Sequence, residues 1–600
     1  MQMTQVQLNQ NHRRECFYKA FCDSCETLVA EASEEWLGDI ALGPRDKMWL
    51  SLGLLRGSQG HRAWANRLLA GIIDDQNDFA AYFAYLILKK HAKDLSDVAL
   101  TNLRKIGAAN IDKAYRHIFR YTENCAVLNC YALLEHARVT GDARYSARAM
   151  DRLELFIARD RHSGVSLEFN SPNYLPVSLI GAAHLAQYSD HAGAQKIGMH
   201  MESLLWREIS AVWHPNLGYC AGASGRSYTA DSTAGHSLIR TLVWLAVGES
   251  ATDLAISPSL FSRPARWIYK GHSSPWNARM ESAWIACEQF TVPDEFCRLM
   301  QVLPDTRRVK STVRLPPWRE YLLEPESDPQ STGGWHSPSG AMIPGTILHP
   351  GGQAIQSTYL DSRVGLGTST IPLWTMCDPL FAAWLPSPTS SRSAIHTLYT
   401  RLVLDNELEE TLGIEPCGVL LPEKGRVAAA QHDNLGIIWF TPSDSHPKQV
   451  SRLRFCALIY DPEALIPTPS KVGEWFVWEQ DGLCLAIRFS GKFHVEFKRV
   501  GRFLTFQEIL FDGPTKDFHP SELRNTASAM AFYMQQASYA QVISQLESSS
   551  FHTDSYESHF MVQCNVGDRS IEVIAEKQLE SLVSMKVGGE FLREKLFEVV

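Results

Sequence analysis

The 600-residue chain predicts a multidomain, α-then-β architecture. Helical hairpins, stacked or closed into a ring, are expected over residues 1–305, and an antiparallel β-sandwich-like domain over 306–600. Three observations predict it. Apolar residues recur at helical spacing through the first half, and short runs rich in β-branched and aromatic residues take over after about Pro304. The two textures scarcely mix, which segregates helices from sheets.

In chain order, Ala63 to Ile73 sets Trp64, Leu68, Leu69 and Ile72 on one helical face. The same spacing returns at Phe79–Leu88, Ala126–Leu134, Met150–Ile157, Val177–Leu185, Met201–Ile209 and Leu238–Val247. Small polar clusters such as Gly57-Ser58-Gln59-Gly60 and Thr140-Gly141-Asp142 punctuate them as turns. A hairpin of this size cannot bury its apolar face alone, so neighbours must stack or close a ring. Predicted strands follow at Val309–Val313, Ala354–Leu360, Gly436–Phe440, Leu453–Tyr460, Trp475–Trp478, Leu483–Phe489, Phe493–Phe497 and Ile571–Ala575. A helix-like stretch, Ala527 to Leu546, interrupts them, and the transition between the halves lies between Ser257 and Asp328.

Composition bounds the function. The chain is 45% hydrophobic and 20% charged with a net charge of −9, which is ordinary for packed domains and offers no global attraction for nucleic acid or anionic lipid. No run approaches the roughly 18 apolar residues of a spanning helix, and Met1 to Gln10 carries no apolar leader, so no membrane partner and a cytoplasmic location are expected. Thirteen scattered cysteines read as reduced thiols, and Cys22-x-x-Cys25 has no second pair at zinc spacing. No metal or other cofactor is expected; a homo-oligomer is compatible with the sequence.

Three polar islands in the helical half carry the candidate chemistry. Tyr121-Thr122-Glu123-Asn124 precedes a helix and reads either as a cap or as part of a site. Glu168-Phe169-Asn170-Ser171-Pro172-Asn173-Tyr174 has more polar groups around one turn than capping needs. Gly218 to Tyr228 has glycines that let the backbone approach a ligand, and it carries Arg226, with Asp231 and His236 beyond. It lacks the Gly-Lys-Ser/Thr ending of a phosphate loop. Loops at corresponding ends of successive hairpins converge, here with Trp206 and Trp213 as stacking surface and His214 beside them. Aromatic faces with amides, carboxylates and a guanidinium suit a sugar, and the arginine favours an acidic one.

This order of islands resembles the (α/α)-toroid carbohydrate-active enzymes, and most of all the heparinase II/III-like and alginate-lyase-like polysaccharide lyases. The resemblance implies an N-terminal (α/α)6-type toroid, a C-terminal antiparallel β-domain contributing to the cleft, and a uronate-containing carbohydrate as substrate. It implies that Asn124 neutralises the uronate carboxylate, that Tyr174 moves protons, and that His336 in Gly334-Trp335-His336-Ser337 completes the site. Many relatives have a histidine directly after the asparagine, where this chain has Cys125.

The chemistry such a set supports is β-elimination. Removing a proton α to a carboxylate requires the carboxylate charge to be masked, a task for Asn124, Asn170 and Arg226. Tyr174 and His336 then serve as base and acid, with Tyr228 in reserve and Trp213, His214, His236 and Trp335 as substrate-binding groups. The rival is a glycoside hydrolase, a uronidase such as a β-glucuronidase, using two carboxylates among Glu123, Glu168 and Asp231. A non-catalytic helical binding scaffold is the third reading. Gly365-Leu366-Gly367-Thr368, in the β half, reads as a turn or bulge.

Overall fold

The computed structural model describes residues 5–31, 44–73, 79–116, 123–166, 168–172, 174–225, 238–252, 283–285, 288–315, 352–370, 378–412, 425–442, 449–519, 522, 526–556, 559–576, 582–592 and 597–600. Its helical half contains α1 (Gln5–Glu31), α2 (Pro44–Leu55), α3 (Gln59–Ala70), α4 (Ala80–His91) and α5 (Asp97–Arg116). There follow α6 (Glu123–Thr140), α7 (Ala143–Ser163), α8 (Leu175–Tyr188), α9 (Ala192–Val212), α10 (Leu238–Val247) and α11 (Asp294–Gln301). Consecutive helices from α2 to α9 pack as hairpins wherever the joining turn is tight, as at Gly141, whose φ of 76° suits the turn between α6 and α7. Alternate helices also touch: α2 with α4, α4 with α6, α6 with α8, and α8 with α10, while α1 touches both α10 and α2. α8 explains its own place. It is apolar on almost every side and buried from Leu175 to Leu185, as a helix surrounded by neighbours must be.

A short hairpin, β1 (Trp213–His214) and β2 (Tyr219–Cys220), leads from α9 toward the second half. Then come β3 (Thr306–Leu315), β4 (Gly352–Asp361), β5 (Val364–Ser369), β6 (Leu380–Trp384), β7 (His396–Leu404), β8 (Gly425–His432), β9 (Leu435–Pro442) and β10 (Val450–Tyr460). The chain continues through β11 (Ser470–Val472), β12 (Trp475–Gln480), β13 (Leu483–Phe489), β14 (Val495–Val500), β15 (Phe503–Lys516) and β16 (Ser528–Gln536). It ends with β17 (Ser550–Ser555), β18 (His559–Val566), β19 (Arg569–Glu576), β20 (Leu582–Val587), β21 (Glu590–Phe591) and β22 (Glu598–Val599). Among the described residues all pairings are antiparallel. The sheets have nine strands (β14-β15-β10-β7-β6-β5-β4-β3-β22), six (β11-β12-β13-β16-β9-β8) and five (β17 to β21 in order).

The six-stranded sheet lies between the other two. Leu366, Leu380 and Phe455 of the nine-stranded sheet share one core with Phe440, Leu485 and Phe532. Ile437, Ala531 and Ala486, on the opposite face, share another with Phe560, Val562 and Ile571. This corrects one sequence expectation. Residues 527–546 are not one helix: Ser528–Gln536 is strand β16, and only Tyr539–Glu547 is helical. β16 is covered on both faces, so its Ala-Met-Ala-Phe-Tyr-Met run shows no alternation by which to recognise a strand.

The two halves are joined by directed contacts. Arg307 at the start of β3 is almost wholly buried and donates to the carbonyls of Ser210, Ala211 and Trp213 at the end of α9 and of Leu299 and Val302 at α11. Two helix C-termini thus share one guanidinium, whose charge suits their negative ends. Burial lowers its pKa to about 10. Lysine there keeps the charge but has too few donors, so Arg307→Lys is expected to cost about 1–3 kcal/mol, read as a lower urea midpoint. At the other end of the chain, Phe597 packs on Phe169 with ring centroids 6.2 Å apart and under the Arg207 guanidinium at 4.6 Å. Among the described residues, no helix is long and apolar enough to cross a membrane.

Candidate functional site

The first two islands meet at the start of α6. Glu168 reaches across to accept the backbone N–H of Asn124 at 2.9 Å and the Ser178 hydroxyl of α8 at 3.1 Å. A carboxylate on the first-turn N–H groups is the favoured arrangement at a helix N-terminus. The cap of α6 therefore includes an acid from the second island, in addition to whatever the first supplies. The Asn124 side chain is fully buried, and neither its Oδ1 nor its Nδ2 has a hydrogen-bond partner among the described residues. Glu123 beside it is also buried, and its charge helps raise Glu208, which burial pushes up to about 8. Glu208 accepts both the N–H and the hydroxyl of Ser166 at 2.6 Å, just before the second island.

The second and third islands meet through Asn170. Its backbone is left-handed, with φ of 53°, and its Nδ2 donates to the carbonyl of Ala223 at 2.8 Å and of Ala221 at 3.4 Å. The amide is thus spent on the glycine-rich loop, where a substrate-binding role had been expected. Ser171 accepts the N–H of Tyr174, and α8 starts at Leu175 with Pro176 in its first turn. Tyr174 itself is half-buried at the helix start.

The β half closes over that loop. Gly365 and Gly367 lie in strand β5, so they form neither the turn nor the bulge expected of them. A side chain at Gly365 would sit 2.4 Å from the Cβ of Ala221, and one at Gly367 2.0 Å from the Cα of Gly222. Gly222, at φ 118°, is likewise packed against Thr358 of β4 and Asn170. At Gly367 only glycine permits this approach of strand to loop backbone.

Other expected site residues are elsewhere or engaged. Trp206 and Trp213 are fully buried and offer no stacking face to a sugar. Both His214 ring nitrogens serve the chain: Nε2 lies 2.5 Å from the Asp361 carbonyl and Nδ1 accepts the Leu217 N–H. Burial lowers its pKa to about 3, so it stays neutral as a strut between β1 and β4. Arg226, Tyr228, Asp231, His236, Trp335 and His336 lie outside the described residues.

A second polar cluster was missed in the sequence. Trp284 Nε1 donates to the Tyr82 hydroxyl at 3.1 Å, Tyr82 OH lies 2.5 Å from His184 Nδ1, and His184 Nε2 lies 2.9 Å from Glu288. Lys90 at 2.6 Å and Tyr188 at 3.0 Å also bond Glu288. Lys90 and His184 hold this buried carboxyl well below the usual range, whereas burial lowers the imidazole pKa from its ordinary value. The signal was faint: one histidine and one lysine inside apolar helices, and a glutamate 104 residues (288 − 184) beyond that histidine in the chain.

Among the described residues, no three His, Cys, Asp or Glu side chains are grouped to hold a metal ion. A family model described as a domain of unknown function, DUF8769, matches residues 130–269, a span that takes in the second and third islands. No curated protein matches the chain.

Proposed function

We propose that the chain is a carbohydrate-active enzyme that cleaves a uronate-containing oligo- or polysaccharide by β-elimination, at the junction of an (α/α)6-type toroid and the β half. The toroid reading is supported by the succession of alternate helix contacts, which runs from α2 to α10 and returns through α1 to α2. The observation that carries the functional reading is the meeting of the first two islands at Asn124. Its unpartnered, fully buried carboxamide stands beside the helix N-terminus that Glu168 caps. An amide donor in such a water-poor setting is suited to a carboxylate, whose charge must be masked before the α-proton can leave.

In this reading Tyr174, at the head of the neighbouring helix α8, exchanges the proton. The C–H bond breaks, its electrons form the double bond, and the glycosidic oxygen leaves with a proton from the acid. Arg226, Tyr228 and His336 enter on sequence grounds alone. The hydrolase reading is disfavoured because Glu168 is engaged with Asn124 and Ser178 in holding the two islands together.

The test is turnover of a panel of uronate oligosaccharides, following ultraviolet absorbance and reducing ends in parallel. Both signals should rise together, as a conjugated enoate forms with each new end. Tyr174→Phe should lower the rate by about 10²–10⁴-fold, the usual weight of a general acid–base group. Reducing ends without absorbance would instead select hydrolysis and Glu123, Glu168 and Asp231. Saccharide binding without turnover would leave a binding scaffold.

A further inference from the structure

We infer that Asp378, in the β half, is a positioning residue for the candidate site: it fixes the glycine-rich loop and, through that loop, Asn170 of the second island. The inference deepens the proposed function and rests on it for its kinetic consequence. Ser224, at the end of the loop, exchanges both backbone hydrogen bonds with Asp378, Ser224 N–H to its carbonyl at 3.2 Å and Asp378 N–H back at 2.8 Å. The Ser224 hydroxyl adds a third, to Asp378 Oδ2 at 3.2 Å. The other carboxylate oxygen lies 2.7 Å from Arg401 of β7, and both side chains are wholly buried. Arg401 is backed by the Tyr399 ring at 4.8 Å.

Apolar packing could hold a loop to a sheet without the desolvation cost of a buried ion pair. What it cannot supply is direction. The loop rides over Gly365 and Gly367 with no spare space, and its Ala223 carbonyl must meet Asn170 Nδ2 at 2.8 Å. A hydrogen-bonded bridge fixes register along that surface, and the Arg401 guanidinium at 2.7 Å holds the Asp378 carboxyl group in place to serve it. The chain of contacts is continuous: Arg401, Asp378, Ser224, Ala223, Asn170. Two residues before Asn170 stands Glu168, which binds Asn124.

Hydrogen–deuterium exchange on the full chain tests this in wild type, Ser224→Ala and Asp378→Asn. Exchange should rise in both variants within 219–225 and also within 168–171, which neither substitution touches. Ser224→Ala removes one buried hydrogen bond and no charge, so it keeps the question answerable if Asp378→Asn fails to fold around an unpaired Arg401. Unchanged exchange in both segments of Ser224→Ala, or a rise confined to 219–225, would overturn the inference. On a turned-over uronate oligosaccharide, Ser224→Ala should lower kcat about tenfold with KM nearly unchanged. A wild type that turns over none of the panel defeats the proposed function, while the exchange result still decides whether Asp378 positions the loop.

Discussion

Gly367→Ala should displace the glycine-rich loop and cost stability and activity together. The added methyl group would stand 2.0 Å from the Gly222 Cα and 2.5 Å from both the Gly222 carbonyl carbon and the Ala223 nitrogen. All three are backbone atoms, so no side chain can swing aside. Restoring ordinary contact requires either the loop or strand β5 to retreat by about 1 Å or more, and overpacking of this kind costs about 1–3 kcal/mol, occasionally more. β5 is held on both edges by β4 and β6, so the loop is the partner that yields. Its retreat would stretch the 2.8 Å bond from Asn170 to Ala223. A misplacement of that size in a catalytic frame can cost on the order of 10²-fold in rate. Urea denaturation and saccharide turnover check both consequences. A variant with wild-type midpoint and wild-type turnover would show that the close packing of loop on sheet does not matter to either.

The sequence made the helices legible where one face is apolar and the strands legible where β-branched residues cluster. Leu238–Val247 and Leu483–Phe489 have the predicted limits. Elements without a pattern escaped: β16 is buried on both faces, and β7 carries Arg401 amid Leu398, Tyr399, Leu402 and Val403. A charge inside such a run is the mark of a buried partner, but the partner Asp378 lies on a different segment and no spacing links them. The polar islands were visible as excess polarity. Their side chains were harder to read, because the excess is largely consumed internally: Glu168 caps α6, Asn170 ties down a loop, and His214 braces a hairpin. Asn124 differs from them in having no such use, which no single-sequence argument could have distinguished from a cap.

Replacing Glu288 by glutamine should be the most destabilising isosteric change in the helical half. The carboxylate accepts from Lys90 and Tyr188 and lies 2.9 Å from His184 Nε2. A glutamine keeps one acceptor oxygen and turns an N–H₂ group toward another donor. If His184 then moves its proton to Nδ1, that nitrogen can no longer accept from Tyr82, whose hydroxyl already accepts from Trp284. The fault therefore travels along the chain of bonds, and the Lys90 ammonium loses a countercharge. Breaking a buried pair on one side costs about 3–5 kcal/mol.

The same group sets a pH dependence. Because the folded protein holds Glu288 below the ordinary 4.5, its stabilisation is complete above that value and is lost as pH falls through the lowered one. Glu208 has the opposite sign. Raised to about 8, it stays neutral when folded and ionises only when unfolded, so its stabilisation holds below pH 4.5 and is lost as pH rises to about 8. Glu202 and Glu508, each raised to about 7 by burial, act in the same direction. Urea midpoints should then be highest near about pH 5 and fall on both sides. Glu208→Gln should flatten the alkaline limb alone, and Glu288→Gln should lower the whole curve above pH 5 while flattening the acid limb. A curve that rises from pH 5 to 8 would contradict the buried, neutral state of Glu208, and a Glu288→Gln midpoint equal to wild type would contradict the central place of that carboxylate in the core.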